Sequence, residues 1–243
     1  MKTLGIIPAR YGSTRFEGKP LALVHRKPMI QCVYEQVMLS NLLDRVVVAT
    51  DDDRIARCVE GFGGNVCMTG THHKSGTERC GEVLAKQIQA CPDEVPDVIV
   101  NIQGDEPQIQ PEQIQSLLQC FDNKTIDIAT LVKEIATEKE LISPNVVKCV
   151  RNHEGKALYF SRYPIPFERN PQNKVSHYKH LGIYAYRVDV LQKLIHLSPC
   201  DVETAESLEQ LRWLYHGFSI YTRETSFESI GIDTPEDLKR INQ

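Results

Sequence analysis

Apolar residues along this chain follow two rhythms. Unbroken β-branched runs, Leu4 to Ile7, Arg45 to Thr50 (RVVVAT) and Val98 to Gln103 (VIVNIQ), have the texture of strands buried on both faces of a parallel sheet. Between them the apolar positions take helical spacing, as with Ile30, Val33, Val37 and Met38 in residues 28–40. Helices are predicted at 28–40, 52–62, 77–88 with Thr77 as N-cap, and 111–121, with a further strand at 65–69. The first strand is expected to break at Pro8. From Ile126 to Phe160 the texture changes to strand-like runs, DIATLVKEI, NVVKCV and KALYF, which read as an antiparallel insertion and a natural place for a subunit contact. Order then resumes with a strand in HYKHLGIYAYR, a helix at 188–196, one amphipathic helix at 204–216, a strand at 218–222 and a terminal helix at 235–241 capped by Thr234 with Asp237 at N3. The prediction is an α/β fold: a mostly parallel, doubly wound, Rossmann-like sheet in one domain spanning 1–243, with a β-rich insertion at about 126–176.

Composition narrows this little. At 41% hydrophobic and 25% charged residues the chain is ordinary for a globular protein. A net charge of -4 offers no global field for nucleic acid, so any anion site must be a local concentration of Lys and Arg. Eight cysteines lie far apart, with no Cys-x-x-Cys and no zinc-like Cys/His spacing, which suits buried thiols in a reducing cytoplasm. No run approaches the roughly 18 apolar residues of a membrane span, and the N-terminal run is too short for a secretory signal.

That local concentration follows the first strand, in LGIIPARYGSTRFEGKPL. The loop carries Gly12, Ser13 and Gly18, whose glycines let backbone N–H groups approach phosphate oxygens, and Arg10, Arg15 and Lys19 supply charge opposed only by Glu17. The spacing is not a Walker loop: five residues separate Gly12 from Gly18, and Pro20 has no hydroxyl for Mg2+. A solvated surface turn is the plainer reading.

Ligands of open α/β sheets bind at the carboxyl ends of strands, where this loop, Asp51, residues 72–79, Gln103 to Glu106 and Asp233 would gather. Asp51-Asp52-Asp53 contains the D-x-D spacing of some metal-dependent glycosyltransferases, and equally suits a helix cap. Asp105 follows a strand end and is either a Mg2+ ligand or a turn residue; Asp233, just before the Thr234 cap, is a candidate second ligand. In HHKSGTER, Ser75, Gly76 and Thr77 offer hydroxyls and N–H groups to a base or ribose, with Arg79 as charged partner. Neither histidine there has an acidic partner at metal-binding spacing.

Six motifs, IPARYGSTRFEGKPL, HHKSGTER, NIQGDEP, YFSRYPIP, HLGIYAYR and GIDTPEDL, taken in register from residue 5 to 238, resemble the 3-deoxy-manno-octulosonate (Kdo) cytidylyltransferase family. Glu17, in place of a proline, and Glu78, in place of an aspartate, depart from its pattern. The resemblance implies a nucleotidyltransferase in which the anomeric hydroxyl of Kdo attacks the α-phosphate of CTP, releasing pyrophosphate and giving CMP-Kdo for lipopolysaccharide biosynthesis. It implies catalytic roles for Lys19, Arg15 and Asp105, and a nucleotide site of Ala9, Arg10, Gly12, Ser13, Arg15, Lys19, Ser75, Gly76, Thr77 and Arg79. Gln103, Arg162, His180, Tyr184 and Glu209 would take the sugar acid, and Asp105 with Asp233 would hold Mg2+. Arg162 suits a carboxylate because its planar fork binds both oxygens. Blind to the motif, Tyr184 and Glu209 read as core and helix-surface residues. The implied protein is a cytoplasmic homodimer acting on small molecules, without nucleic-acid binding or membrane insertion. Its rivals are a cytidylyltransferase for 8-amino-Kdo or sialic acid, a glycosyltransferase built on Asp51 to Asp53, and a non-catalytic CTP-binding regulator.

Overall fold

The computed structural model describes residues 1–12, 15–170, 172, 175–228 and 230–243. The chain divides into two compact units, residues 1–115 with 186–195 and 228–243, and residues 116–185 with 196–227.

In the first unit, β1 (Thr3–Ala9) is the inner strand of a parallel sheet. A small hairpin, β2 (Leu23–Val24) and β3 (Lys27–Pro28), leads to α1 (Met29–Leu39), and β4 (Arg45–Thr50), α2 (Asp53–Gly61), β5 (Val66–Met68), α3 (Gly76–Ala90) and β6 (Val98–Asn101) follow. β1 lies between β4 and β6, and β5 flanks β4, all parallel. Ile6, Ile7, Val48, Ile99 and Val100 are fully buried, as the unbroken apolar runs require. The expected break at Pro8 does not occur. β1 runs on to Ala9 beside β4, while its pairing with β6 ends at Ile6, so the proline stands where one side of the strand is no longer laddered.

Two further corrections concern helices. Ser75, not Thr77, is the N-cap of α3: its backbone is extended and its side chain accepts from the Glu78 N–H. Thr77 lies inside the helix, buried. α9 (Pro235–Ile241) has the expected capping box, with Thr234 and Asp237 exchanging hydrogen bonds. Its Leu238 and Ile241, together with Ile232, pack against Val24 and Met29, which fastens the C-terminal segment to the hairpin after the opening loop.

After α4 (Pro111–Gln119), the second unit contains β7 (Ile128–Glu134), α5 (Glu138–Ile142), β8 (Lys148–Arg151), β9 (Ala157–Ser161) and β10 (Tyr178–Arg187) as far as Ala185. After α6 (Val188–Leu194), whose residues belong to the first unit, the second resumes with α7 (Asp201–Glu206), α8 (Gln210–Tyr215) and β11 (Ile220–Glu224). β11 pairs parallel with β7, and β8 pairs antiparallel with both β9 and β10. The single helix expected at 204–216 is two. Ser207 takes a left-handed conformation, φ 51°, and ends α7, while Leu208 and Leu211 keep the buried stripe going across the break.

Candidate active site

The cavity of the first unit, about 250 Å³, opens at the carboxyl ends of its strands. Its wall is formed from three places. The opening loop contributes Pro8, Ala9, Arg10, Arg15, Lys19 and Pro20; the approach to α3 contributes His73, Lys74, Ser75, Gly76 and Arg79; and Gln103, Gly104, Asp105 and Asp233 complete it. Gly104 is there for closeness: a Cβ would lie 2.7 Å from the Pro8 carbonyl oxygen.

The loop is braced from behind. Gly18, left-handed at φ 67°, donates its N–H to the Tyr11 carbonyl and lies against the Tyr11 ring. The Arg54 guanidinium sits 3.2 Å from the centre of that ring. Arg54 is aimed in turn by two hydrogen bonds to the Asp52 carboxylate, which also caps α2. Hydrogen bonds from Arg54 hold the Asp52 carboxyl below the usual range. Asp51 pairs at 2.9 Å with the buried Arg79, which also donates to Thr69 Oγ1 and the Gly70 carbonyl. The acidic run after β4 thus serves as scaffold through Asp52 for the loop and through Asp51 for α3, and the D-x-D alternative loses one of its two carboxylates, Asp51, to that work.

Five cations (Arg10, Arg15, Lys19, Lys74, Arg79) and the N-terminus of a 15-residue helix face this cavity, against Asp105 and Asp233. Lys19 Nζ lies between those carboxylates, 2.6 Å from Asp105 and 3.2 Å from Asp233, and Arg15 reaches Asp233 at 3.0 Å. Asp233 is free for this because the Thr234 cap is satisfied by Asp237. Two carboxylates from distant parts of the chain converge on one positive charge, an oxygen-only pair of the kind Mg2+ takes.

Of the residues expected to bind nucleotide, Ala9, Arg10, Arg15, Lys19, Ser75, Gly76 and Arg79 line the cavity, as do Gln103, Asp105 and Asp233. Gly12 and Thr77 do not, and Ser13 lies outside the described residues. The sequence reading missed Lys74 as a wall cation, and it missed Asn101. Asn101 ends β6 buried beside Gly76, its Oδ1 without a hydrogen-bond partner among the described residues. A polar residue closing an apolar strand run was the available signal. Glu82 was missed because His73, nine residues away, meets it only through the turn into α3.

Arg162, His180, Tyr184 and Glu209 belong to the second unit. His180 is part-buried, and burial pushes its imidazole down to about 3, so it is neutral near pH 7. Its Nε2 lies 3.0 Å from Thr130 Oγ1, whose own hydrogen serves the Ile183 carbonyl at 2.7 Å; this makes His180 the Nε2–H donor. The ring sits among Phe160, 5.1 Å away, and Tyr184, 5.2 Å away, with Trp213 edge-on to Tyr184. Arg162 donates to the carbonyls of Glu206, Pro144 and Ser207, using Nε and both Nη atoms once each. Its backbone N–H and the Ser161 hydroxyl go to the Glu206 carboxylate. Glu209 starts α8.

A family model described as cytidylyltransferase matches residues 4–230. The 3-deoxy-manno-octulosonate cytidylyltransferase of Parabacteroides distasonis is 52% identical over 99% of this chain and 96% of its own length. That of Thermodesulfovibrio yellowstonii is 47% identical over 98% and 96%. A solved structure of CMP:2-keto-3-deoxy-manno-octonic acid synthetase complexed with CTP superposes with a TM-score of 0.93 at 44% identity, covering all of this chain and 97% of that one. A cationic cavity at the strand ends and near-full-length identity at this level lead to one assignment: the chain belongs to the cytidylyltransferase family, among the 3-deoxy-manno-octulosonate cytidylyltransferases.

Proposed function

We propose that this chain is a nucleotidyltransferase that transfers CMP from CTP to the anomeric hydroxyl of Kdo. The observation that carries the reading is the Lys19, Asp105 and Asp233 triad in a cationic cavity at a helix N-terminus. The CTP-bound relative with the same fold over the whole chain supports the nucleotide.

In the reaction the sugar oxygen bonds to the α-phosphorus, the bond from that phosphorus to the bridging oxygen breaks, and pyrophosphate leaves. Such displacement needs in-line positioning and charge neutralisation more than covalent chemistry. Arg10, Arg15 and Lys19 hold the triphosphate, Lys19 meeting the charge that grows on the leaving group. Ser75, Gly76 and Arg79 contribute to the cytidine end. Asp105 and Asp233 hold Mg2+, which when bound lowers the pKa of the attacking hydroxyl and neutralises phosphate charge. Gln103 meets the sugar acid in the cavity. Within the second unit His180, neutral and fixed by Thr130, serves as a hydrogen-bonding group and not as a proton acceptor.

We assign the subunit contact of a homodimer to the second unit, where Leu158, Tyr159, Tyr163 and Phe167 are exposed along β9 and the segment after it. Eight free thiols support a reducing cytoplasm. No helix among the described residues is long and apolar enough to cross a membrane.

The test is pyrophosphate release from purified protein with CTP and Mg2+, with and without Kdo. Release that requires both Mg2+ and Kdo is expected. Turnover with sialic acid or 8-amino-Kdo but not Kdo overturns the substrate, and CTP binding without turnover on any acid favours a regulator.

A further inference from the structure

The turn into α3 contains a second donor cluster that the reaction above does not use. His72 and His73 lie side by side, ring centres 4.3 Å apart, and His73 Nε2 meets Glu82 Oε2 from the second turn of the helix. One donor atom from each of the three falls within 4.8 Å of the others. Gly70 makes room, since a Cβ there would lie 2.4 Å from the His72 ring, and its N–H donates to Glu82 Oε2 at 2.8 Å. Although burial raises it, hydrogen bonds from Lys86, Gly70 and His73 hold the Glu82 carboxyl down to about 2, so it is anionic at neutral pH.

Two imidazoles and a carboxylate are the three-protein-ligand set of an open tetrahedral zinc site. We infer that His72, His73 and Glu82 bind one borderline divalent cation of the zinc class, at a site chemically distinct from the oxygen-only pair of Asp105 and Asp233. On binding, the cation takes the Nε2 lone pair of His73, whose neutral ring then carries its one proton on Nδ1. Glu82 stays anchored by the Gly70 N–H, the outer hydrogen bond that metal-bound carboxylates use for aim. Lys86, 2.7 Å from Glu82 Oε1, is half exposed and swings to water as the cation arrives. The competing account is that the His73 and Glu82 contact only fastens the turn to the helix. This inference stands independently of the proposed reaction.

Tag-free, reduced protein is titrated with Zn2+ against a chromophoric chelator, and separately with Co2+ by absorption, for wild type, His72→Ala, Glu82→Gln and Asp105→Asn. Loss of an outer partner alone costs roughly 10- to 100-fold in metal affinity, so loss of a ligand is expected to weaken one Zn2+ at least about tenfold. His72→Ala and Glu82→Gln lose that ion while Asp105→Asn keeps it, and its Co2+ bands show no thiolate charge transfer. An ion unaffected by His72→Ala, a thiolate band from the cysteines, or no wild-type binding overturns the site. His72 is exposed, so His72→Ala decides the matter even if Glu82→Gln fails to fold.

Discussion

Lys19 and His180 are both part-buried titratable side chains in positions the sequence motifs single out, yet the chain surrounds them in opposite ways. Lys19, 16% exposed, lies in ion-pair distance of two carboxylates, and Arg15 shares one of them. His180 is neutral instead: burial, here beside the rings of Phe160 and Tyr184, disfavours its charged form, and Thr130 Oγ1 accepts its Nε2–H. In the proposed reaction the first unit's ion pairs are exchangeable: an arriving polyphosphate would offer Lys19 and Arg15 new oxygens and release Asp105 and Asp233 for a metal. In the second unit the polar groups are committed beforehand, Arg162 to three carbonyls and Glu206 to a hydroxyl and a backbone N–H. On the proposed function one region would rearrange charge on binding, while the other holds fixed hydrogen-bonding geometry.

The largest effect should follow from removing one half of the exchangeable pair. Asp105→Asn is expected to lower turnover about 10²- to 10³-fold, the range for losing one preorganised electrostatic contact. Without divalent metal, however, the same variant should bind CTP several-fold tighter, because Lys19 loses a competing carboxylate. Calorimetric titration with CTP in chelator checks this, and weaker binding would mean that the Lys19 pair is a fixed support like those of the second unit.

His180 sharpens the other side. Its folded pKa, about 3, lies below the unfolded value of about 6.5, so above pH 6.5 both states are neutral. Between about 6.5 and 3 the unfolded chain takes a proton that the folded chain refuses, and stability falls as pH falls, by about 1.4 kcal/mol per pH unit. In urea unfolding, His180→Asn should lack this component. Its stability difference from wild type should therefore shrink by about 2 kcal/mol between pH 6 and pH 4.5; a constant difference would mean that His180 is protonated in the fold.

A smaller effect tests how tightly the first unit's cavity is built. Gly104→Ala puts a methyl 2.7 Å from the Pro8 carbonyl oxygen, and the backbone must part at a cost of about 1–3 kcal/mol. Thermal unfolding measures it, and an unchanged Tm would show that the floor of the cavity yields freely.

Regular stretches of this architecture were legible in the sequence because they rest on local pattern. The run at 45–50 and the capping box at Thr234 and Asp237 contain their own instructions, and both appear where expected. The failures sit where one dihedral or one distant partner decides. Ser75 and Thr77 are both competent caps, and only the extended backbone at Ser75 chooses between them. The buried stripe through Leu208 and Leu211 continues across Ser207, so periodicity cannot reveal the single left-handed residue that splits α7 from α8. Within the cavity, the motifs located the strand-end loops, but the bond of Arg79 to Asp51, 28 residues away, and the contact of His73 with Glu82 arise only from folding.

The smallest expected effect concerns the acidic run after β4, where scaffold and metal site make opposite predictions. Asp52 caps α2 and aims Arg54 at Tyr11, whose ring packs on Gly18 at the head of Lys19. Asp52→Ala therefore removes a cap worth about 1 kcal/mol and loosens the opening loop from behind. The consequence should be a Tm lower by a few degrees and a severalfold rise in KM for CTP, with kcat nearly unchanged, since no group touching the reacting atoms is lost. Asp53, in the first turn of α2, complements the helix dipole, and Asp53→Ala should change stability by less than about 0.5 kcal/mol. If the run instead held the catalytic metal, loss of either D-x-D carboxylate, Asp51 or Asp53, would abolish metal-dependent turnover. Steady-state kinetics of Asp52→Ala and Asp53→Ala beside Asp105→Asn separates the two: a collapse of kcat in Asp53→Ala would move the metal out of the cavity and with it the contrast between exchangeable and committed charge.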